Sequence, residues 1–447
     1  MHQTRTVSAE SKSLGLTLVQ APNFRQMDAL ALHSAFASTR QKTLALLDDF
    51  MSALENQSIS ADEFPYVNPP LWEFGHVAWF SEYWILRNPQ HHLGTAYQQD
   101  HLPHTHSLIA HADQLYNSAA TNLNTRWQIA LEPYRAVREY LKETDQYCRE
   151  QLLREHPASA QGLYFYRLAL AHEIMHLDSF ITTAQTLGFR LPSLCGLGPA
   201  PDQADIHYQK HQQISLSAQQ VIAASGHREF SFDNELPGAL WAINAVQMDH
   251  KLVSHGQFAD FVNAGGYQNE SFWSDAGRRW LATSGARAPA YWRQTTQTRQ
   301  RPPHHADRTA GADSDQRDLS IERCWFGHWQ QVDATAPMIH VNFYEAQAWC
   351  AWARRRLPTE AEWLAAAQAG FIRWGAAWEW MSDAFSPFEG FKPHPYQDYS
   401  VPWFGDHQVL KGASWMTAPE LHDLNYRNFF LPCRNDIPAG FRSVRLD

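Results

Sequence analysis

Four long stretches with apolar residues every three or four positions, all within the first 190 residues, constrain this chain more than any other feature. They are LHSAFASTRQKTLALLDDFMSAL (32–54), PPLWEFGHVAWFSEYWILR (69–87), YRAVREYLKETDQYCREQLLR (134–154) and LYFYRLALAHEIMHLDSFITTAQTL (163–187). That spacing turns one face of a helix toward a core. Pro69 and Pro70 suit the opening of the second helix, where a missing N–H costs little, and Gly188 suits the stop of the fourth. Four such helices predict a bundle, an architecture whose facing side chains commonly build metal sites.

Residues 190–226 are rich in Pro, Gly and Gln and read as a linker. From 227 to 447 the texture changes. REFSFDNE, LWAINAVQMD, MIHVNF and HQVLKGASW read as short strands between Gly, Pro, Asp and Asn turns, while HGQFADFVNAGG and FYEAQAWCAWARRR read as two helices. The class expected is α + (α+β), helices first and a mixed domain second. Residues 294–320 are almost wholly polar and read as a mobile insertion, with the pair His304 and His305 in solvent.

At 447 residues, 44% hydrophobic and 13% aromatic, the chain has ample material for two or three cores. A net charge of −10 leaves no basic footprint for nucleic acid. The opening MHQTRTVSAESKSLGL lacks the apolar centre of a signal peptide, and no run of 18 apolar residues suggests a membrane span. Five Cys with no C-x-x-C fit reduced thiols, so a soluble cytoplasmic protein is expected.

The fourth helix contains HEIMH. Its spacing sets His172 and His176 one turn apart on one face, where two imidazoles can reach one ion. Glu173 completes the zinc-peptidase pattern H-E-x-x-H, but LDSFITTAQTLGFRLPSL downstream offers no His or Glu, and Asp178 is its one carboxylate. Upstream, His76 lies in the aromatic second helix. His76, His172 and His176 together make a plausible three-nitrogen face. It would leave about half of a six-coordinate sphere open, as Fe(II) chemistry with O2 requires. The same set could hold tetrahedral zinc, and spacing does not choose between them.

PPLWEFGHVAWF, HEIMHLD, FDNE, RRRLPTEAEW, WEW, PYQDYS, VLKGASW and YRNFFLP…GFR follow one another along nearly the whole chain. This series resembles the sulfoxide synthases of ergothioneine biosynthesis and their relatives, the selenoneine synthases. The resemblance implies a DinB-like four-helix metal domain (28–189) ahead of a formylglycine-generating-enzyme-like, C-type-lectin-like domain (227–447). It implies Fe(II) on His76, His172 and His176, O2 as co-substrate, and hercynine, the trimethylated betaine of histidine, as the acceptor of a carbon–chalcogen bond. Asp178 stands where that family usually has Glu, and is expected outside the ligand set. Tyr396 in PYQDYS is the implied proton or hydrogen-atom donor, with Tyr399 lining the pocket. Asn428, Phe429 and Phe430 of NYRNFFLP, together with Trp415 of GASW, are the implied hercynine pocket, since a quaternary ammonium favours aromatic faces. Arg427 and Arg442 are expected to stabilise the fold.

Departures from the pattern bear on the donor. Synthases that use γ-glutamylcysteine place an Asp two residues after the hercynine-binding Asn and arginines after an N-S-Y-Y stretch. Here those features are Phe430 and LYNSAATNLNTRW, with Ala119 and Ala120 in place of the tyrosines and Arg126 alone of the arginines. Extra donor carboxylates would be desolvated without partners. LYNSA followed by N-x-x-x-RW is similar to the selenoneine synthases, whose donor is a selenosugar. Asn117, Ser118, Asn122 and Asn124 offer the amide and hydroxyl partners a sugar needs, and Arg126 remains a donor-site candidate. The alternatives are a thiol donor, cysteine or γ-glutamylcysteine, and more distantly a zinc hydrolase. A copper formylglycine oxidase is disfavoured because GASWMTAPELHDLNYRN contains no Cys. A sugar-binding module would leave the three histidines unexplained.

Overall fold

The computed structural model describes residues 23–55, 64, 66–98, 105–194, 213–223, 229–296 and 319–446. Most of the expected insertion (297–318), with His304 and His305, much of the expected linker (195–212 and 224–226) and the first two residues of the expected second domain (227–228) lie outside the described residues.

Helix α1 (Ala29–Leu54) starts where the Asp28 side chain accepts from Ala31 N at 2.8 Å. Pro70 opens α2 (Pro70–Ser81), which runs on as a π turn over Glu82–Leu86. Two short helices follow, α3 (Ala112–Tyr116) and α4 (Leu123–Arg126), then α5 (Tyr134–Glu155) and α6 (Ala160–Leu187). Gly188 ends α6 with φ 71, the left-handed conformation glycine adopts without strain. Helices α1, α2, α5 and α6 pack against one another around one core. From Trp72 to Ser81 every residue of α2 is buried, because the α3 segment covers the side that the long helices leave open.

The C-terminal half contains α7 (His255–Asn263), α8 (Asp275–Ser284), α9 (Phe343–Trp352) and α10 (Glu360–Gln368). Its strands are β1 (Gln213–Leu216), β2 (Gln219–Ala223), β3 (Ala239–Ile243), β4 (Val246–Asp249), β5 (Trp292–Thr296), β6 (Leu319–Trp325) and β7 (His328–Gln331). They continue with β8 (Arg355–Arg356), β9 (Ala377–Ala384), β10 (Gln408–Ala413), β11 (Asn428–Phe430), β12 (Ala439–Gly440) and β13 (Val444–Arg445). One sheet has the order β1-β4-β13-β8 and another β11-β10-β9-β12; β2-β3 and β5-β6-β7 stand apart.

Four helices therefore occupy the region where two were expected. α8 and α10 carry ordinary start signals, with Ser274 accepting from Gly277 N and Thr359 forming a capping box with Glu362. The segment 338–343 is not a strand, since His340 has φ 61 and Asn342 is already the N-cap of α9. REFSFDNE likewise ends in a turn of 3-10 helix, Asp233–Glu235.

The two halves are joined by polar contacts, most of them buried. Both Arg25 Nη atoms bond the Glu235 carboxylate at 2.7 and 2.6 Å, and Arg167 Nη2 meets Glu229 at 2.7 Å. Near the end of α6, Gln185 donates to Cys324 O and accepts from Phe326 N. Arg427 pairs with Glu360 and Arg442 with Glu379, inside the second half as expected. No described helix is long and apolar enough to cross a membrane. Cys148, Cys324, Cys350 and Cys433 are free thiols.

Candidate active site

His76 on α2 and His172 and His176 on α6 converge, all three offering ligand atoms within 4.8 Å of one another. The Nε2 atoms of His76 and His172 are 3.1 Å apart, and those of His172 and His176 are 3.3 Å apart. Each outer ring is held from behind. His76 Nδ1–H must donate to the Tyr116 carbonyl at 2.8 Å, because a carbonyl can only accept, so Nε2 keeps its lone pair. Gly75 makes this possible, since a Cβ there would overlap the Tyr116 ring. His176 Nδ1 donates to Glu73 Oε1 at 2.6 Å. Burial holds His76 and His172 well below the usual imidazole range, which keeps them neutral as metal ligands must be.

This donor set fits a divalent transition metal. Three nitrogens about 2.1 Å from one ion lie about 3.0 Å apart on an octahedral face and about 3.4 Å apart in a tetrahedron, and the two spacings to His172 fall within that range. His176, with 18% of its side chain exposed, is the open edge of the face. Behind it, Glu73 accepts also from Asn68 Nδ2 at 3.2 Å and from Ser179. Burial opposes ionisation of Glu73, but His176 and these donors outweigh it and hold the carboxyl below its ordinary range.

Glu173, the letter that suggested a peptidase, points away from the histidines. Arg40 Nε and Nη2 each bond its carboxylate at 2.8 Å and Thr43 Oγ1 donates at 2.7 Å, all fully buried between α1 and α6. A carboxylate locked in that pair cannot serve as general base to a water on the histidine face.

Tyr396 approaches from the second half. Its ring lies 4.9 Å from Phe80 and 6.2 Å from His172, and Phe80 itself stacks on His172 at 3.6 Å. Burial pushes the Tyr396 phenol up to about 12, reinforced by Asp398 and opposed by a hydrogen bond with Ser118 and by Arg126, so the hydroxyl stays protonated at neutral pH.

Between α6 and the second half opens a cleft of about 240 Å³, bounded by Met175, Asp178, Trp378, Tyr426, Asn428 and Phe430 among others; the three histidines and Tyr396 do not line it. Thr417 donates to Asp178 Oδ2 at 2.8 Å, while Oδ1 is buried without a protein partner, and burial pushes this carboxyl up to about 7. Asp178 is outside the converging ligand set.

The cleft sorts the expected pocket residues. Asn428 and Phe430 line it, but Phe429, the middle residue of β11, faces the other way and stacks on Phe385 at 4.0 Å. Trp415 lies against Trp325 at 5.1 Å, and Tyr399 packs on Phe232 at 4.5 Å behind Tyr426; neither borders the cleft. Asn117 uses its side-chain oxygen to accept from Ala119 N at 2.9 Å, an Asx turn and not an open sugar contact. Arg126 makes four hydrogen bonds within the chain, to Thr121 O (two), Ser118 O and Asn68 Oδ1. Sequence reading did not single out Glu73, Asn68, Ser179 or Tyr426. The signal for Glu73 was its place three residues before His76 on the same helix, one turn away.

Part of the chain is similar to a known class of protein. Residues 206–374 match the family described as the sulfatase-modifying factor enzyme 1-like domain. A formylglycine-generating enzyme of Bos taurus is 30% identical over 31% of this chain and 34% of its own length. Longer relatives narrow the class. The hercynine oxygenase of Mycobacterium tuberculosis is 26% identical, covering 93% of this chain and 98% of its own length. That of Mycolicibacterium smegmatis is 25% identical, covering 92% and 97%. The chain is thus similar to hercynine oxygenases over most of its length.

Proposed function

We propose that this chain is an O2-dependent non-haem iron enzyme that forms a carbon–selenium bond between the imidazole ring of hercynine and a selenosugar. The observation that carries the reading is the three-histidine face, with His176 its exposed edge and Met175, Asp178 and Ser179 of the same helix lining an aromatic cleft, in a chain similar over most of its length to hercynine oxygenases. His76, His172 and His176 would hold Fe(II), which when bound supplies the redox chemistry with O2.

The cleft has the chemistry of a betaine site. Trp378, Tyr426 and Phe430 offer ring faces to a quaternary ammonium, and Asp178 offers the one carboxylate oxygen left without a protein partner there. The Asn428 side-chain oxygen is taken by Phe429 N–H at 2.9 Å, so what this residue presents to a ligand carboxylate is its NH2 group. The Tyr396 hydroxyl, protonated and carried on a ring 6.2 Å from that of His172, is the proton or hydrogen-atom donor in this reading.

Two guanidiniums lie nearby, Arg434 lining the cleft and Arg126 over the Trp72 ring, and both are engaged: Arg126 as above, and Arg434 by Asp436 at 2.6 and 2.7 Å. A donor bearing two carboxylates would have to break these bonds, which favours a neutral sugar. The four free thiols suit a reducing cytoplasm. The similarity to hercynine oxygenases supports hercynine as acceptor under either chalcogen and keeps a sulfoxide synthase using cysteine or γ-glutamylcysteine as the second reading.

The test is anaerobic Fe(II) reconstitution, then air and hercynine with selenoglucose, cysteine or γ-glutamylcysteine in parallel, products read by mass spectrometry. Selenium incorporation from the sugar alone is expected. A sulfoxide adduct from either thiol, without selenium incorporation, would replace the first reading with the second.

A further inference from the structure

Arg126 stacks its guanidinium over the Trp72 ring at 4.0 Å, and Trp72 in turn stacks on His76 at 5.1 Å with the rings 8° apart. Trp72 is fixed in that pose by its indole N–H, which donates to Leu115 O at 2.6 Å, next to the Tyr116 carbonyl that receives His76 Nδ1. On its other side Arg126 Nη1 donates to Asn68 Oδ1 at 2.7 Å. With its oxygen so occupied, the Asn68 amide must turn its NH2 toward Glu73 Oε2, 3.2 Å away, and Glu73 Oε1 takes the proton-bearing Nδ1 of His176. Thr121 O and Ser118 O anchor the guanidinium itself.

We infer that Arg126 is a positioning residue that orients two of the three metal-ligand histidines by separate routes, through Trp72 to His76 and through Asn68 and Glu73 to His176. Without the guanidinium, the Asn68 amide loses the bond that fixes its oxygen and with it the orientation of its NH2 on Glu73, so the carboxylate and His176 behind it are held less tightly. Outer partners of metal-bound histidines typically govern affinity by about 10- to 100-fold, and Arg126, two hydrogen bonds beyond Glu73 on one route and one ring beyond His76 on the other, is expected at the low end.

This inference rests on the histidines holding a metal and is independent of which substrates the enzyme takes. The test titrates Co(II) alone, and anaerobic Fe(II) alone, into wild type, Arg126→Ala, Arg126→Lys, Asn68→Ala and the double alanine variant, with circular dichroism of each apo protein as the check on folding. Arg126→Ala is expected to weaken Co(II) binding roughly tenfold and to shift its visible absorption band. Arg126→Lys should recover part of both effects, since it keeps one donor toward Asn68. Adding Asn68→Ala to Arg126→Ala should cost less than the two single losses combined, because the two residues share one route. If Arg126→Ala does not fold, Asn68→Ala and Arg126→Lys carry the test. Wild-type affinity and spectrum in the folded variants overturn the inference, including where turnover falls, because Arg126 would then act on substrate. Failure of the wild type to bind either metal overturns the three-histidine reading itself.

Discussion

Two residues that resemble catalytic groups by their letters part company by their surroundings. Glu173 follows the first histidine of H-E-x-x-H, yet Arg40 and Thr43 hold it at the bundle core. Arg40 in turn donates to the Leu141 carbonyl and to Thr144, so removing its counter-charge leaves a buried cation. Glu173→Gln should destabilise the protein by about 3–5 kcal/mol, the usual cost of breaking one side of a buried pair. Metal affinity should stay unchanged in the folded fraction, as measured by thermal unfolding and Co(II) titration; a hydrolase would show the reverse. Tyr396, by contrast, sits beside Phe80 and His172 with a phenol that burial keeps protonated. Tyr396→Phe is expected to bind hercynine as the wild type does while losing at least tenfold in ring functionalisation, read by calorimetry and product mass spectrometry. Normal product formation would move the proton donor elsewhere. The pair His172 and His176 was legible because helical spacing alone sets one beside the other, whereas His76, on another helix, was proposed from its aromatic segment and from the order of motifs. Glu73 was not, since its role depends on a neighbour about 100 positions away.

At the scale of elements, β11 decides which aromatic faces a ligand. Side chains alternate across a strand, so Asn428 and Phe430 share the cleft face while Phe429 enters the second core on Phe385 and Tyr399. The sequence NFF held this period of two, but three residues are too few to fix which face is which without the partner β10. Phe429→Ala should cost about 3 kcal/mol in stability and leave the KM for hercynine unchanged. Phe430→Ala should raise that KM severalfold with less than about 1 kcal/mol lost, and denaturant unfolding with steady-state kinetics separates the two. Helices α8 and α10 had readable caps, but in nine or ten residues a 3.6-residue period has room to show only where large apolar side chains mark it, as they do in α7 (Phe258, Phe261, Val262) and α9; α8 has only Trp280 and Leu281, and α10 only Trp363 and Leu364. The four long helices had that room. The π turn at the end of α2, over Glu82–Leu86, left no such mark in its letters.

Over the whole molecule, the candidate site exists because the halves are locked together. The first half supplies the histidines, and the second supplies Tyr396 and one wall of the cleft. Arg25 with Glu235, Gln185 with Cys324 and Phe326, and Asp178 with Thr417 hold the seam near that cleft. None of these pairings follows from local pattern, as their partners are separated by more than 130 positions. The most direct measurement of the central claim is hercynine-dependent O2 uptake by Fe(II)-loaded protein, wild type against His76→Ala, with iron content determined on the same samples. The expected result is one iron per chain and O2 uptake that requires both hercynine and a chalcogen donor in the wild type, and loss of both iron and uptake in the variant. Retained iron and retained hercynine-dependent uptake in His76→Ala would contradict the three-histidine iron site.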